Sequence, residues 1–506
     1  MARVARKAIL HLGTSHSIAS RIFETRSEVL YQGHFPYSGP MQLSPFPIPK
    51  RLLQLTAISA IGLFLCSSIK HGLLASGAYD LGYFDQAIYL ISQGQKPIVS
   101  FWGYHFLGGH ADWILYLIAL LYKILPTVQW LFAIQALALA SGHLGAWMLA
   151  TQAGLKGLEA WSIVFAYGLY PLVFNLNLFD FHPEVIALPL LMVAVWAARA
   201  DRLWIYAGIL ILILACRDAL SVTVAAMGLW LWFFEKRRQA GALALLWGLG
   251  WFAIATQVVI PHFRPGGVES VVRYAYLGSS LSEVILNLFL KPNLVLGQIL
   301  TGETIGYFAL LFLPMFWALR GRFLAPMVVA IPTLLINILS QSPAQRDLIH
   351  QYSLPILPFM LISGIACLSD GAPILLKRPR WIIAWSLFGF LCLAKYSYFG
   401  SRFLEYQDNA AAVYRAIAQV PTSAKVLTHH NIAPHLTHRS LLHLMDANAI
   451  NRLRTVPYTH VVLNMRHPGF ASTPEICQQL LQQLKADRSF ELRLMENDVY
   501  LFIKRG

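Results

Sequence analysis

The sequence predicts an α-helical polytopic membrane protein with about 11 transmembrane helices, interfacial helices in its first outer loop and a small C-terminal α/β domain. Composition is the first reason. Hydrophobic residues make up 57% of the 506-residue chain and charged residues only 12%, with a mean hydropathy of +0.55. Soluble domains carry about a quarter charged residues. Patterning is the second reason: the apolar residues gather into runs of helix length, and many basic residues sit in short clusters between them. The net charge of +15 therefore reads as topology signals, which makes the lipid bilayer a partner and excludes nucleic acid.

Residues 1–50 are basic, polar and rich in Ser, Pro and Gly, without the compact basic-then-apolar form of a cleaved signal. They are expected to form a poorly ordered cytoplasmic leader, with Met41 as an alternative start. The membrane domain is expected over 51–400. Its spans fall at 52–69, 128–150, 158–176, 183–199, 203–216, 219–234, 240–260, 304–319, 323–340, 352–369 and 381–399. Several are shorter than the ~20 residues a spanning helix needs, which is tolerable beside a water-filled cavity. Cytoplasmic placement of Lys50/Arg51, Arg199/Arg202, Lys236/Arg237/Arg238, Arg320/Arg322 and Lys377/Arg378/Arg380 settles the orientation. The apolar stretch 112–125 must then lie in the interface. Loops 70–127, 177–182, 261–303 and 341–351, and everything after 400, face outside.

Within the outer loop 70–127, Asp80 to Gln93 reads as an amphipathic helix. Tyr83, Phe84, Ala87, Ile88 and Ile91 share a stripe, while Asp85, Gln86 and Gln93 lie off it, toward water. The tail, 401–506, reads as the extracytoplasmic α/β domain. A helix is expected over 408–420, strands at 425–429 and 460–465, a helix over 475–485, and a hairpin at 490–504 turning at Glu496-Asn497-Asp498.

Chemistry is sought where a charge-poor chain concentrates its ionisable groups. The opening loop holds Asp80, Asp85, His105, His110 and Asp112. Asp180 and His182 lie between two apolar runs, and Glu184 complements the dipole of the helix that Pro183 opens. Arg217-Asp218 interrupts an apolar run, which is costly unless the pair is mutual or wet. His262 and Arg264 open the large loop, and Arg346 precedes a span; such arginines suit a phosphate. The tail histidines 429, 430, 435, 438 and 443 raise a divalent metal as a cofactor, without a cysteine or a clear carboxylate partner. Four of the five cysteines lie in apolar runs, so no disulfide framework is read.

The runs Tyr79-Asp80-Leu81-Gly82-Tyr83-Phe84-Asp85-Gln86, Phe179-Asp180-Phe181-His182-Pro183, Ile260-Pro261-His262-Phe263 and Pro434-His435-Leu436-Thr437-His438-Arg439 resemble a bacterial family of uncharacterised predicted membrane proteins. That family is distantly similar to the GT-C glycosyltransferases, which include protein mannosyltransferases and aminoarabinose transferases. The resemblance covers most of 52–506. It implies a GT-C-like fold that transfers a sugar from a polyprenyl-phosphate donor to an unknown acceptor, outside the cytoplasmic membrane. Asp80 would be the general base, with Asp85 as rival, since Leu81 stands where mannosyltransferases have a second acid. His105, His110, Asp180, His182, Arg217, His262, Arg264 and Arg346 would line the substrate site. An arginine or a divalent metal would steady the departing phosphate. A transporter or flippase, or a non-catalytic membrane protein, is the alternative. Ionisable groups at outer helix ends, rather than at the bilayer midplane, favour the enzyme.

Overall fold

The computed structural model describes residues 48–505 except Ala372 and Lys377, so the leader with Met41, and Lys377 of the last basic cluster, lie outside the described residues. Among them six helices are long and apolar enough to cross a membrane: Lys50–Gly72, Gln129–Gln152, Leu158–Phe179, Arg238–Phe263, Pro343–Ser369 and Pro379–Leu404. The pair Pro292–Ile299 and Gly302–Ala318, bent by 55°, adds a seventh when taken as one span. The other expected spans are shorter apolar helices. Leu203–Cys216 and Leu220–Phe233 have 14 residues each. Such a helix is about 21 Å long, less than the ~30 Å hydrocarbon core.

Burial separates lipid-facing from central helices. Along Lys50–Gly72, Leu53, Ile58, Ile61, Leu65 and Ile69 stand exposed at helical spacing, a face that only lipid can satisfy. Pro343–Ser369 is 89% buried over its most apolar window and forms the centre of the bundle. Leu220–Phe233 and Arg238–Ile254 pack at backbone contact across Gly228, Gly241 and Gly248. A Cβ on Gly228 would sit 2.5 Å from the Leu245 nitrogen. Small residues permit this approach where no hydrophobic effect draws helices together. One end of the bundle is tied by Arg199 to Glu235, Arg237 to Asp201, and Arg322 to Asp370, which gathers the basic clusters there.

The opposite end carries the loop over 73–128. A π-helical turn, Ala78–Gly82, leads into the helix Tyr83–Ser92. A two-residue ladder follows, β1 (Ile98–Val99) against β2 (Tyr104–His105), then the turn Leu107–His110. Ile114–Ile124 has 11 residues, about 17 Å, and does not span. It exposes Leu117, Leu120 and Ile124 while burying Leu115, Ile118 and Tyr122, the profile of a helix lying along the interface. One expectation is corrected. Asp85 and Gln86 do not face water but are fully buried, because the C-terminal tail packs on the second face of Tyr83–Ser92.

Among the described residues the tail forms one mixed five-stranded sheet: β3 (Lys425–Thr428), β4 (Leu441–Leu444), β5 (His460–Asn464), β6 (Phe490–Glu496) and β7 (Val499–Lys504), in the order β4-β3-β5-β7-β6. β3 runs parallel to β4 and β5; β7 is antiparallel to β5 and β6. Asn497 and Asp498 turn the last hairpin at φ 45° and 63°, as a two-residue turn requires. The strand β4 and the helix Ala449–Thr455 were not expected: a four-residue strand interrupted by His443 carries little periodic signal. The final membrane helix runs to Leu404, past the expected limit at 400.

Candidate active site

Asp80 sits on the π-helical turn, whose N-cap is Gly77, and makes no capping hydrogen bond. Its side chain is one-third exposed, to a cavity of about 760 Å³. Oδ1 lies 3.3 Å from His182 Nε2. Burial opposes ionisation of Asp80, but the hydrogen bond and charge of His182 lead the effects that outweigh it and hold the carboxyl below its ordinary value. Burial likewise disfavours the His182 cation, yet the Asp80 hydrogen bond and charge raise that imidazole above its ordinary value. Each partner thus favours the charged form of the other. His182 is itself fixed by Phe179, whose ring stacks at 5.4 Å, and by Gln135, which accepts from its backbone N–H.

Asp180 is the second carboxylate of the cavity wall. Its Oδ1 meets Lys70 Nζ at 2.7 Å and its Oδ2 accepts from Gly77 N at 3.0 Å. Lys70 also donates to the Phe179 carbonyl. Gly77 is needed here, since a Cβ would stand 2.7 Å from His430 Nε2. Lys70 was missed from the sequence because it ends an otherwise apolar run, where a lone Lys reads as a helix terminus.

The other wall comes from the tail. Ala78 N donates to the His430 carbonyl at 3.1 Å, and His71 stacks on His435 at 4.0 Å. Ser100 Oγ bridges Leu442 N and O, covering the free edge of β4. The strongest tie is Asp85. This buried carboxylate accepts from Tyr122 Oη at 2.5 Å and from Thr437 Oγ1, and lies 3.2 Å from His438 Nε2. Asp85 does not line the Asp80 cavity.

A second polar cluster continues from His182, which feels the charges of Glu184 and Arg217 as well as Asp80. Arg217 does not pair with its neighbour Asp218 but with Glu184 and with His110 Nε2. His110 Nδ1 lies 3.3 Å from Asp218. Beside them Asp112 is fully buried, and neither of its carboxylate oxygens has a hydrogen-bond partner among the described residues. Burial pushes its carboxyl well above the usual range; Arg217 opposes this, while Glu184 and Asp218 add to it. Next to this cluster opens an apolar groove of about 650 Å³, walled by Leu107, Ala111, Trp113, Leu214, Trp247 and Trp251.

The remaining sequence candidates are spread around these two centres. His105 stacks on Phe263 at 4.1 Å, and His262 packs edge-on against the same ring. Arg264 pairs with Glu269 and lies over Tyr104. Arg346 pairs with Glu303 and donates to the Ser340 carbonyl, away from both. The tail histidines do not converge as a metal site would require. Among the described residues no three His, Cys, Asp or Glu side chains are placed to hold a metal ion.

Three of those histidines make a prediction of their own. Burial pushes His429, His430 and His435 down to about 4. They fold neutral and, once unfolded, titrate near the ordinary 6.5. The unfolded chain thus binds more protons between these values. Their contribution to stability is complete above about pH 6.5 and is lost as pH falls toward 4. Tail stability, followed by amide hydrogen exchange of the five-stranded sheet, should therefore weaken steadily across that window; a flat profile there would refute the assignment.

The bundle, the helices across its polar end and the α/β tail closing over Asp80 make up a polytopic membrane protein of GT-C-like fold. Two solved structures share the fold: ArnT of Cupriavidus metallidurans, a GT-C glycosyltransferase, bound to undecaprenyl phosphate, and the same protein in the apo state. The first is 12% identical with a TM-score of 0.53, over 90% of this chain and 98% of that one. The second is 11% identical with a TM-score of 0.53, over 89% and 97%. No curated protein matches the chain in sequence. The chain belongs to the family described as Predicted membrane protein (DUF2079), whose model matches residues 70–501.

Proposed function

We propose that this protein transfers a sugar from a polyprenyl-phosphate carrier to an acceptor hydroxyl on the outer face of the cytoplasmic membrane, with Asp80 as general base. The observation that carries this reading is the Asp80–His182 pair facing a cavity of substrate size. Asp80 accepts the proton of the acceptor hydroxyl as its oxygen attacks the anomeric carbon. The bond from that carbon to the phosphate oxygen breaks, and the polyprenyl phosphate leaves. His182 orients the carboxylate and keeps it ionised. Asp85, buried and fully engaged, is a strut and not a rival base.

The apolar groove suits a prenyl chain, and its rim suits a phosphate. Ala111 adjoins His110, and Leu214 lies in the last turn of the helix that Arg217 caps. A Cβ on Gly108 would touch Arg264. Arg217 and Arg264 are thus the carrier-phosphate candidates, with a planar fork for paired oxygens, and Arg346 is set aside. The gathered basic clusters favour a cytoplasmic opposite end and an extracytoplasmic tail. ArnT bound to undecaprenyl phosphate names the class of carrier to look for. Mass spectrometry of the purified full-length protein should find a copurified polyprenyl phosphate, free or glycosylated. A preparation that retains other lipids but no polyprenyl species sinks this reading.

A further inference from the structure

Aromatic rings drawn from both ends of the chain meet at the Asp80 cavity: Tyr79 and Phe470 line it, and Trp102 packs on Tyr79. Tyr79, next to Asp80, lies 5.3 Å from Trp102, 5.1 Å from His430 and 6.3 Å from Phe470, whose plane is turned by 87°. Phe470 is 84% exposed and Trp102 37% exposed. Neither serves the core of the tail, and an apolar ring left in water at a cavity mouth has no structural return. The polar group beside them is as unusual. Asn431 also lines the cavity, is buried, and finds no partner for either its amide N or its carbonyl O among the described residues. A buried amide left unsatisfied is destabilising unless a ligand completes it.

We propose that Tyr79, Trp102, Phe470 and Asn431 form the acceptor subsite, and that the acceptor is a carbohydrate whose pyranose ring enters from the aqueous side. A pyranose has an apolar C–H face that stacks on aromatic rings, and hydroxyls that both donate and accept. An amide needs both roles filled at once. A lipid acceptor would call for an apolar path, and the apolar groove lies elsewhere, by Trp113 and Trp247. A phosphate acceptor would call for free cations. Most of the cavity's cations are already paired, Lys70 with Asp180, Arg466 with Asp408 and Asp498, and His467 with Asp408, which leaves Arg402, lying over Tyr398. The inference rests on Asp80 being the base that activates the bound hydroxyl, yet the subsite can be tested without turnover.

The probes are methyl glycosides of glucose, galactose and N-acetylglucosamine, added to the full-length protein in nanodiscs and read by saturation-transfer NMR. Wild type should show saturation transfer to at least one glycoside. Phe470→Ala should weaken its binding about tenfold. Asn431→Ala should weaken it while leaving the melting temperature equal or higher, because an unsatisfied amide has been removed; a merely structural asparagine would lower it. Absence of glycoside binding, or binding that survives both changes, overturns the subsite. So does a component of brominated-lipid quenching that Trp102→Phe removes, which would make the aromatic group a membrane anchor. Copurified lipid is measured on the same samples. Polyprenyl phosphate without glycoside binding sinks the subsite alone. Glycoside binding that Phe470→Ala weakens, in samples free of any polyprenyl lipid, keeps the subsite and sinks the transferase reading.

Discussion

Asp80→Asn is expected to leave an inserted protein with its tail docked and its lipid retained, yet to slow sugar transfer at least about a hundredfold. The substitution isolates one property. Asparagine keeps the size of aspartate and a carbonyl oxygen for His182 Nε2, 3.3 Å away, and no capping hydrogen bond is lost. What disappears is the basic lone pair and the negative charge. A second readout follows from that charge. His182 is raised chiefly by Asp80 against its own burial, so in the variant its titration should fall below the ordinary value. The ionic pair contributes to stability between the lowered Asp80 value and the raised His182 value. Its contribution is lost as pH falls through the former or rises through the latter. An NMR titration of His182 and a transfer assay thus report separately on the pair and on the base. Unchanged turnover in Asp80→Asn would remove the base assignment, whatever His182 does.

Asp85→Ala is expected to act on the other half of the problem. It strands Tyr122, Thr437 and His438 around a vacated buried carboxylate, at a cost of about 3 kcal/mol. Thr437 and His438 belong to the tail and Tyr122 to the interfacial helix, so the loss falls on the junction rather than on either part. Limited proteolysis should cut the loop near 93–103 and the segment after Leu404 much faster than in wild type, while the membrane helices stay protected. A variant as resistant as wild type would show that Asp85 holds nothing.

These two aspartates also mark where sequence reading succeeds and where it stops. The membrane class was legible because bilayer physics acts on composition and run length, which need no partner to be read. The short interfacial helix Ile114–Ile124 was legible for the same reason, through the parity of the basic clusters. Asp80 was reached through its place after the first apolar run and through family resemblance. His182 was noticed, but its link to Asp80 crosses about a hundred residues and has no local signature. Asp85 was misread as water-facing, because helical periodicity reports that one face is apolar and cannot report that a distant domain covers the other. The same limit hid Asn431 and Phe470, ordinary loop residues until the tail folds back on Tyr79.

That fold-back has a consequence for the order of manufacture. Asp85 and Thr437 are 352 residues apart, and His430 closes on Gly77 from the same distant stretch. A ribosome delivering about 5–20 residues each second leaves the loop waiting tens of seconds for its counterpart. Throughout that interval Asp80 faces an unwalled space, and the binding cavity does not yet exist. The cavity therefore forms in a single late event, when the last fifth of the polypeptide docks, so that a nascent or truncated copy occupies the bilayer without it.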